Sequence, residues 1–314
     1  MERTRAESMV FVLASTGIAL GTLVAVSWVA GFERVLGHLK HVDPVWFASA
    51  FGAQILAYFG YVLAYREIAR VEEGCDLPTR SVVAAVTAGF GSFVARGGFA
   101  VDVHAFKQAG LSDREVRTRV LGLGALEYAL LAPAACVVAI QLLADGHSPS
   151  LGLTLPWAIS VPLGFMAALW AVERRDTWRV HSGRRRHLAQ ALDSIHVLKC
   201  MFVRPQHLLG PLGTALYWFG DIFCLWACLQ AFTHGTPDIS LLLLGYATGY
   251  ALTRRTLPLG GAGAVEALLP FALSWCGISL AAAVLAVFAY RVFNLWLPII
   301  PAAVGLRSLK ARAT

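Results

Sequence analysis

Long apolar runs separated by short polar segments make up most of this chain. A helix needs about 20 apolar residues to cross the hydrocarbon core of a bilayer. Six runs meet this length, and they cover about 9–30, 44–66, 120–142, 152–172, 206–231 and 280–305. We therefore predict an all-α polytopic membrane protein with six full spans, organised as a single integral membrane domain over 1–314.

Two further apolar regions, 81–110 and 239–278, are interrupted near their centres by charged residues and glycines. The arms of the first region are about 15 and 13 residues long, which is too short for a comfortable crossing. We predict a re-entrant helical hairpin there. The second region has longer arms, so the sequence leaves open a hairpin or two short crossing helices. Broken helix at membrane depth is tolerated where protein encloses it or where it lines a cavity.

Composition and charge agree with this assignment. The chain is 57% hydrophobic and 14% charged, whereas soluble domains are about 25% charged. Of the 26 lysines and arginines, 20 fall on the same side as the N-terminus, whereas Arg34 and Lys40 fall on the opposite side. Because these residues are retained on the cytoplasmic face, we predict that both termini are cytoplasmic. The same bias explains the net charge of +7, so we expect no nucleic-acid partner.

The segment 173–205 is predicted to be a basic amphipathic helix on the cytoplasmic side. Its apolar positions recur at helical spacing: Leu188, Leu192, Ile195, Leu198 and Phe202. The run 184–186, which is three arginines, precedes them. Each basic residue near an anionic leaflet gains about 1 kcal/mol. The pattern fits either a topology anchor or a site that recognises a lipid headgroup.

The two interrupted regions resemble each other. The first has Arg96 followed by the break residues Gly97 and Gly98. The second has two arginines followed by the break residues Pro258, Gly260, Gly261 and Gly263. We predict an inverted repeat with cores at 81–142 and 239–305, because the charge distribution makes the regions open to opposite sides. Inverted repeats whose broken helices meet near the midplane are typical of alternating-access transport.

Ionisable residues at membrane depth are costly and usually face a cavity or each other. The chain has four basic and four acidic ones: Arg96, Asp102, Glu127, Asp221, Arg254, Arg255, Glu266 and Arg291. The arginines suit a phosphate, because a guanidinium donates two parallel hydrogen bonds. We expect all of them except Asp102 to form a headgroup site in which the acids pair with arginines or bind a proton or a cationic headgroup. Purely structural ion pairs are the alternative.

We find none of the DDxxD, HExxH or Gly-x-Ser-x-Gly motifs. The six cysteines form no Cys-x-x-Cys pair and have no histidine cluster beside them in sequence. We therefore expect no catalytic residue, no cofactor and no metal site, and we do not expect an enzyme. Packing or interface belts are the expected role of Tyr217, Trp218, Tyr290 and Trp296.

The segment 258–266, Pro-Leu-Gly-Gly-Ala-Gly-Ala-Val-Glu, resembles the Pro-x-Gly-Gly-x-Gly-x-x-Glu signature of the lysylphosphatidylglycerol synthase transmembrane region family. These proteins are also called flippase-like domain proteins. Residues 277–279 and the last helix with Arg291, Trp296 and Pro298 fit the same pattern, and 96–112 resembles the family's upstream block. The resemblance implies a membrane protein of inverted repeats that moves a lipid between leaflets.

The chain departs from many relatives in two ways. It has no soluble aminoacyl-transfer domain, so it should not make lysylphosphatidylglycerol. It has Ala95 and Gly98-Phe99 where many relatives have Pro and Gly-Glu, which leaves the substrate open. We expect a flippase or transporter in the bacterial inner membrane that moves an anionic or amino-modified (glyco)phospholipid or a lipid-linked intermediate.

Two other functions stay open at this stage. One is a membrane-embedded enzyme acting on a lipid or polyprenyl phosphate, and the other is an accessory lipid-binding subunit. The expected partners are membrane lipids. A lipid-synthesising enzyme encoded elsewhere and a second copy of the chain are the protein partners left open.

Overall fold

The computed structural model describes residues 5–40, 42–72, 74–91, 98–174, 176–177, 184–233, 235, 237–251 and 261–311. Within these residues the regular structure is helical. The helices are α1 (Arg5–Ala30), α2 (Phe32–Leu39), α3 (Val45–Arg70), α4 (Thr79–Gly91), α5 (Gly98–Gln108), α6 (Asp113–Ala144), α7 (Leu151–Glu173), α8 (Arg184–Val203), α9 (Leu209–Phe232), α10 (Ile239–Tyr246), α11 (Ala264–Trp275), α12 (Leu280–Arg291) and α13 (Ile299–Ala311).

Six helical segments of the described chain are long and apolar enough to cross a membrane, which confirms the predicted spans. They are Val10–Ala30, Val45–Arg70, Asp113–Ala144, Leu151–Glu173, Pro205–Phe232 and Leu280–Gly305. The third begins seven residues before the predicted start at about 120. Ser112 explains the difference, because its backbone N–H donates to the Glu115 carboxylate at 2.8 Å and its hydroxyl accepts from the Glu115 N–H. This capping box extends α6 beyond its apolar run.

The centre of the fold is the antiparallel pair of α3 and α9, which pack through small residues. A Cβ atom at Gly213 would lie 2.6 Å from the carbonyl oxygen of Gly60. A Cβ atom at Gly220 would lie 2.6 Å from the carbonyl oxygen of Ala53. Small residues of this kind let the backbones of membrane helices approach closely, so that van der Waals packing holds them together.

Each interrupted region contains short helices separated by a gap in the described residues. The first has α4 with 13 residues and α5 with 11. The second has α10, extended by a π turn over Ala247–Ala251, and α11 with 12 residues. Twelve helical residues span about 18 Å, short of the 30 Å hydrocarbon core. The inverted repeat, the re-entrant path and the cytoplasmic termini stay predictions.

A span from the far end of the chain packs against each interrupted region. α13 packs on α4, where a Cβ atom at Gly305 would lie 2.8 Å from the carbonyl oxygen of Ala84. α1 packs on α11 and α12, and Ile18 reaches the break before α11 at Gly263. Protein therefore covers α4 of the first region and the break before α11 in the second, and broken helix at membrane depth requires such cover.

The amphipathic segment contains α8, which packs against α6 and α7. Leu192 and Leu198 of its apolar stripe are buried, whereas Leu188 and Phe202 at the two ends of the stripe are exposed. Asp193 accepts from the Arg114 guanidinium of α6 at 2.8 Å. The centre of the stripe therefore packs against protein, and its two ends are exposed at the surface.

Candidate functional site

Asp221 lies fully buried in the middle of α9, among hydrogen-bond donors from two other helices. Its Oδ2 atom accepts from the hydroxyl of Tyr246 and, at 2.8 Å, from the hydroxyl of Tyr290. Its Oδ1 atom accepts from the Asn294 side-chain amide at 2.8 Å. Burying a carboxylate is costly unless donors replace its water, and three donors do so here.

A π turn lies just after each of the two tyrosines that bind Asp221, and the second of these turns carries Asn294. Tyr246 ends α10 and Tyr250 lies in the π turn Ala247–Ala251, while Tyr290 lies in α12 and Asn294 in the π turn Val292–Trp296. The hydroxyl of Tyr250 donates to the Asn294 Oδ1 atom at 2.8 Å. This bond holds the Asn294 side chain in the orientation in which its amide donates to Asp221. π turns inside helices occur frequently at functional sites.

A buried ion pair joins α11 to α12. The Arg291 Nε atom lies 2.5 Å from the Glu266 Oε1 atom, and both side chains are at most 1% exposed. The other oxygen of Glu266 accepts from the Gly263 N–H at 2.6 Å. Glu266 therefore neutralises a buried guanidinium and also caps the first turn of α11.

This geometry explains the Gly-x-Gly-x-x-Glu part of the signature. Gly261 and Gly263 have φ values of 72° and 86°, a region that favours glycine. Gly263 is the N-cap residue of α11, and Glu266 is the third residue of the helix. A carboxylate at this place satisfies a free backbone donor and is favoured by the helix dipole. The motif forms a helix start that presents a buried acid.

The two clusters are continuous. The Tyr250 and Tyr290 rings meet edge to face with centroids 5.5 Å apart, and the Arg291 side chain lies within electrostatic range of Tyr250. Buried polar groups therefore run from Glu266 through Arg291 and the tyrosines to Asp221. At membrane depth such a path is costly to maintain.

The first interrupted region supplies a different cluster. Asp102 of α5 and Glu127 of α6 are 4% and 2% exposed, and their carboxylates lie within electrostatic range of each other. The Tyr65 phenol lies beside Asp102. The Trp218 indole donates to the Glu127 carbonyl oxygen at 2.9 Å and packs edge to face on Tyr246. Trp218 thereby links this cluster to the Asp221 network.

The predicted site residues divide into three groups. Glu266 and Arg291 are in direct contact, Asp221 is held by tyrosines and an asparagine, and Glu127 lies near Asp102. Gly98 begins α5, while Gly261 and Gly263 form the break before α11. The remaining predicted residues lie outside the described residues: Arg96, Gly97, Arg254, Arg255, Pro258 and Gly260.

Sequence reasoning missed the donors around Asp221. Tyr290 was assigned to packing or an interface belt, but it is fully buried and donates to the carboxylate. Tyr246, Tyr250 and Asn294 were not singled out. A signal existed, because polar residues recur four apart in apolar helices at 246 and 250 and again at 290 and 294. Such pairs share one helix face.

A cavity lies at each of the two ends of α3. One of about 550 Å³ is lined by residues that include Arg34, His38 and Ser279. The other, of about 300 Å³, lies beyond the C-terminal end of α3 and includes Arg114 and Arg119. The 26 residues of α3 span about 39 Å, which is close to the thickness of a bilayer with its headgroup layers.

The first of these cavities, which we name the Arg34 cavity, suits an anion. The His38 ring lies 3.1 Å from the Phe232 carbonyl oxygen and 3.5 Å from the Ser279 hydroxyl, so its place is fixed. Ser279 caps the N-terminus of α12, and Leu280 and Ala281 of its first turn line the cavity. Backbone N–H groups at a helix start favour negative charge, as does the guanidinium of Arg34.

A family model describes nearly the whole of this arrangement. The model of the lysylphosphatidylglycerol synthase TM region matches residues 12–302, which contain both interrupted regions, four spans entirely and nearly all of the first and last spans. A search of curated proteins finds no significant match to the chain. The protein is therefore a multi-pass membrane protein linked to lipid metabolism or transport, and it belongs to the lysylphosphatidylglycerol synthase TM region family.

Proposed function

We propose that this protein is a flippase that moves a phosphate-bearing lipid, either an anionic or amino-modified (glyco)phospholipid or a lipid-linked intermediate, between the leaflets of the bacterial inner membrane. The observation that carries the proposal is the buried polar path from Glu266 through Arg291 to Asp221. A headgroup must leave water to cross the hydrocarbon core. Groups that donate and accept hydrogen bonds inside the protein lower that cost.

The Arg34 cavity supports headgroup entry at one membrane surface. It combines a guanidinium, an imidazole and the start of α12. Its volume of about 550 Å³ falls within the range of small-molecule sites. The positive-inside distribution predicts that this end faces the outer leaflet. A lipid phosphate would bind there through Arg34 and the N–H groups of α12.

The arginine pair that precedes the signature would carry the headgroup inward. Arg254 and Arg255 fall in the segment that joins the π turn ending at Ala251 to the break at Gly261. Both ends of that segment adjoin the buried path, since Tyr250 lies in the π turn and Gly263 contacts Glu266. A guanidinium binds phosphate oxygens in bidentate fashion, so we assign the phosphate to these arginines.

The acids would balance the rest of the headgroup. Asp102 and Glu127 lie within electrostatic range of each other in the first interrupted region. Two buried carboxylates are most stable when a proton or a cation lies between them. In this proposal Glu127 binds a proton that drives transport, or the ammonium group of an amino-modified lipid.

The proposal is tested by leaflet-specific labelling of fluorescent phosphatidylglycerol and phosphatidylethanolamine analogues in vesicles that contain the purified protein. Wild type should expose inner-leaflet lipid faster than empty vesicles for at least one headgroup. Arg254→Ala and Glu266→Gln should slow exposure tenfold or more. Glu173→Gln is the matched control, because Glu173 is exposed at the end of α7, and it should keep the wild-type rate.

The alternatives give different outcomes in the same vesicles. A membrane-embedded enzyme would convert the labelled lipid to a product that chromatography detects. An accessory subunit would bind lipid and leave its leaflet unchanged. Well-folded Arg254→Ala and Glu266→Gln proteins with wild-type exposure rates would contradict the assignment of the site.

A further inference from the structure

Three potential metal-binding side chains converge at the end of the molecule opposite the Arg34 cavity. Glu72 follows α3, whereas His196 and Cys200 lie on α8. The His196 Nε2 atom is 3.0 Å from the Glu72 Oε1 atom. The Cys200 Sγ atom is 3.8 Å from the same oxygen and 3.9 Å from the same nitrogen. The three atoms therefore form a compact triangle.

The size of the triangle fits a single small ion. Zinc lies about 2.0 to 2.2 Å from nitrogen and oxygen ligands and about 2.3 Å from sulfur. For three atoms with the separations found here, one position exists that lies at about these ligand distances from all of them. His196 and Cys200 are four residues apart on one face of α8, so the helix itself sets their separation.

The turn that carries Glu72 is held before any ion binds. Glu72 has a φ of 52°, in the left-handed region that residues other than glycine adopt uncommonly. The Arg119 side chain donates to the carbonyl oxygen of Val71 at 2.9 Å and to that of Ala69 at 3.3 Å. The Cys75 N–H donates to the same Ala69 oxygen at 2.9 Å. Backbone strain maintained by such contacts clusters at functional sites.

The chemistry of the three ligands selects the metal. A thiolate, an imidazole and a carboxylate are ligands of zinc, whereas magnesium and calcium prefer oxygen alone. Glutamate and thiolate together would neutralise the charge of one divalent ion. Three protein ligands leave one position of a tetrahedron, and the cavity of about 300 Å³ beside Glu72 and His196 has room for water there.

The arginines around this cavity do not prevent cation binding, because each is engaged elsewhere. Arg114 pairs with Asp193 at 2.8 Å, and Arg119 donates to two carbonyl oxygens. The predicted orientation places the site in the cytoplasm, where thiols stay reduced. Cys200 would thus be available as a ligand.

We propose that Glu72, His196 and Cys200 form a zinc site that ties α8 to the turn between α3 and α4. The site joins the amphipathic helix to the start of the first interrupted region, since α4 begins seven residues after Glu72. The sequence alone predicted no metal site, because Glu72 is far from the other two ligands in the chain. The proposal is independent of lipid transport.

The test measures zinc in the full-length protein, purified in detergent with an affinity tag that lacks histidine. The protein is loaded with an equimolar amount of zinc, dialysed against metal-free buffer and analysed by mass spectrometry of the elements. Wild type should retain one zinc per chain. Cobalt in place of zinc should give a thiolate charge-transfer band in the near ultraviolet and tetrahedral bands in the visible.

Matched variants locate the site. Cys200→Ser and His196→Ala should lose the retained zinc and the thiolate band. Cys75→Ser should keep both, because Cys75 is not one of the three converging side chains. His147→Ala should keep both as well, since His147 is exposed in the loop between α6 and α7.

A second readout separates a structural effect from metal loss. Zinc should raise the thermal unfolding midpoint of wild type and of Cys75→Ser, because a ligand that binds the folded state stabilises it. It should leave the midpoint of Cys200→Ser unchanged. Wild type that retains no more zinc than Cys200→Ser, or a Cys75→Ser protein that loses it equally, would overturn the proposal.

Discussion

The two interrupted regions look alike in sequence but bring different charges together. In the second region, a carboxylate and a guanidinium are in contact, with Glu266 and Arg291 2.5 Å apart. In the first region, two carboxylates, Asp102 and Glu127, lie within electrostatic range of each other beside Tyr65. The second cluster is balanced by its own ion pair. Among the described residues, the first cluster brings together two acids.

The contrast suggests that the two clusters have different roles, one holding helices together and the other exchanging a proton. A buried ion pair that also caps a helix fixes α11 against α12, and removing either partner leaves a charge without compensation. Two neighbouring acids gain stability when a positive charge arrives. We therefore expect the contact between Glu266 and Arg291 to be fixed, and the pair of Asp102 and Glu127 to be the one that exchanges a proton.

Breaking the ion pair should have the largest effect. Glu266→Gln removes the charge that compensates Arg291 and should lower the free energy of unfolding by about 3 to 5 kcal/mol. Glu266→Gln combined with Arg291→Met should recover part of the loss, because no unpaired charge remains. Unfolding of wild type, the two single variants and the double variant in detergent is monitored by circular dichroism, which gives a double-mutant cycle. Independent, additive losses would mean that the two side chains do not act as a pair.

The positive φ of the break gives the next largest effect. Gly263→Ala should cost about 1 to 2 kcal/mol through backbone strain, with a further cost because the new Cβ atom would lie 2.8 Å from Ile18. Gly21→Ala is the control, since a Cβ atom there meets nothing within 4 Å. The thermal unfolding midpoints of the two variants are compared. Equal midpoints would contradict the backbone conformation of Gly263.

The first region should respond in the opposite direction. Asp102→Asn replaces one of two neighbouring buried acids with a neutral amide, so stability should stay the same or rise by up to about 1 kcal/mol. The same unfolding assay compares it with Glu266→Gln. A loss as large as that of Glu266→Gln would show that Asp102 compensates a cation in the folded state, and the contrast between the regions would fail.

Tyrosine substitutions should give the smallest effects. Tyr290→Phe removes one donor from Asp221 and should cost about 0.5 to 1.5 kcal/mol. Tyr250→Phe removes a bond to Asn294, one layer away from the carboxylate, and should cost less. Unfolding midpoints of the two variants give the order, and a larger loss for Tyr250→Phe would contradict the described network.

The sequence predicted the spans well because the length of an apolar run is a local property. It placed the start of α6 late because the capping box at Ser112 and Glu115 lies outside the apolar run, although its residue pattern was visible. The signature predicted the break at Gly261 and Gly263, since positive φ selects glycine.

The rest of the site depends on contacts between distant segments. The donors of Asp221 come from α10, from α12 and from the π turn after α12, and local propensity does not specify where a π turn forms. The triad of Glu72, His196 and Cys200 also depends on contacts between distant segments. The spacing of the last two was readable from the chain, but their partner follows a different helix. The packing of α8 against α6 brings these side chains together.

The rate of lipid exchange between leaflets tests the central claim most directly. It is measured by leaflet-specific quenching in vesicles that contain wild type, Asp221→Asn or Asp145→Asn, the last being an exposed control at the end of α6. We predict rapid exchange for wild type and Asp145→Asn, and at least a tenfold slower rate for Asp221→Asn. Exchange by wild type no faster than in empty vesicles, or equal rates for all three folded proteins, would contradict the account.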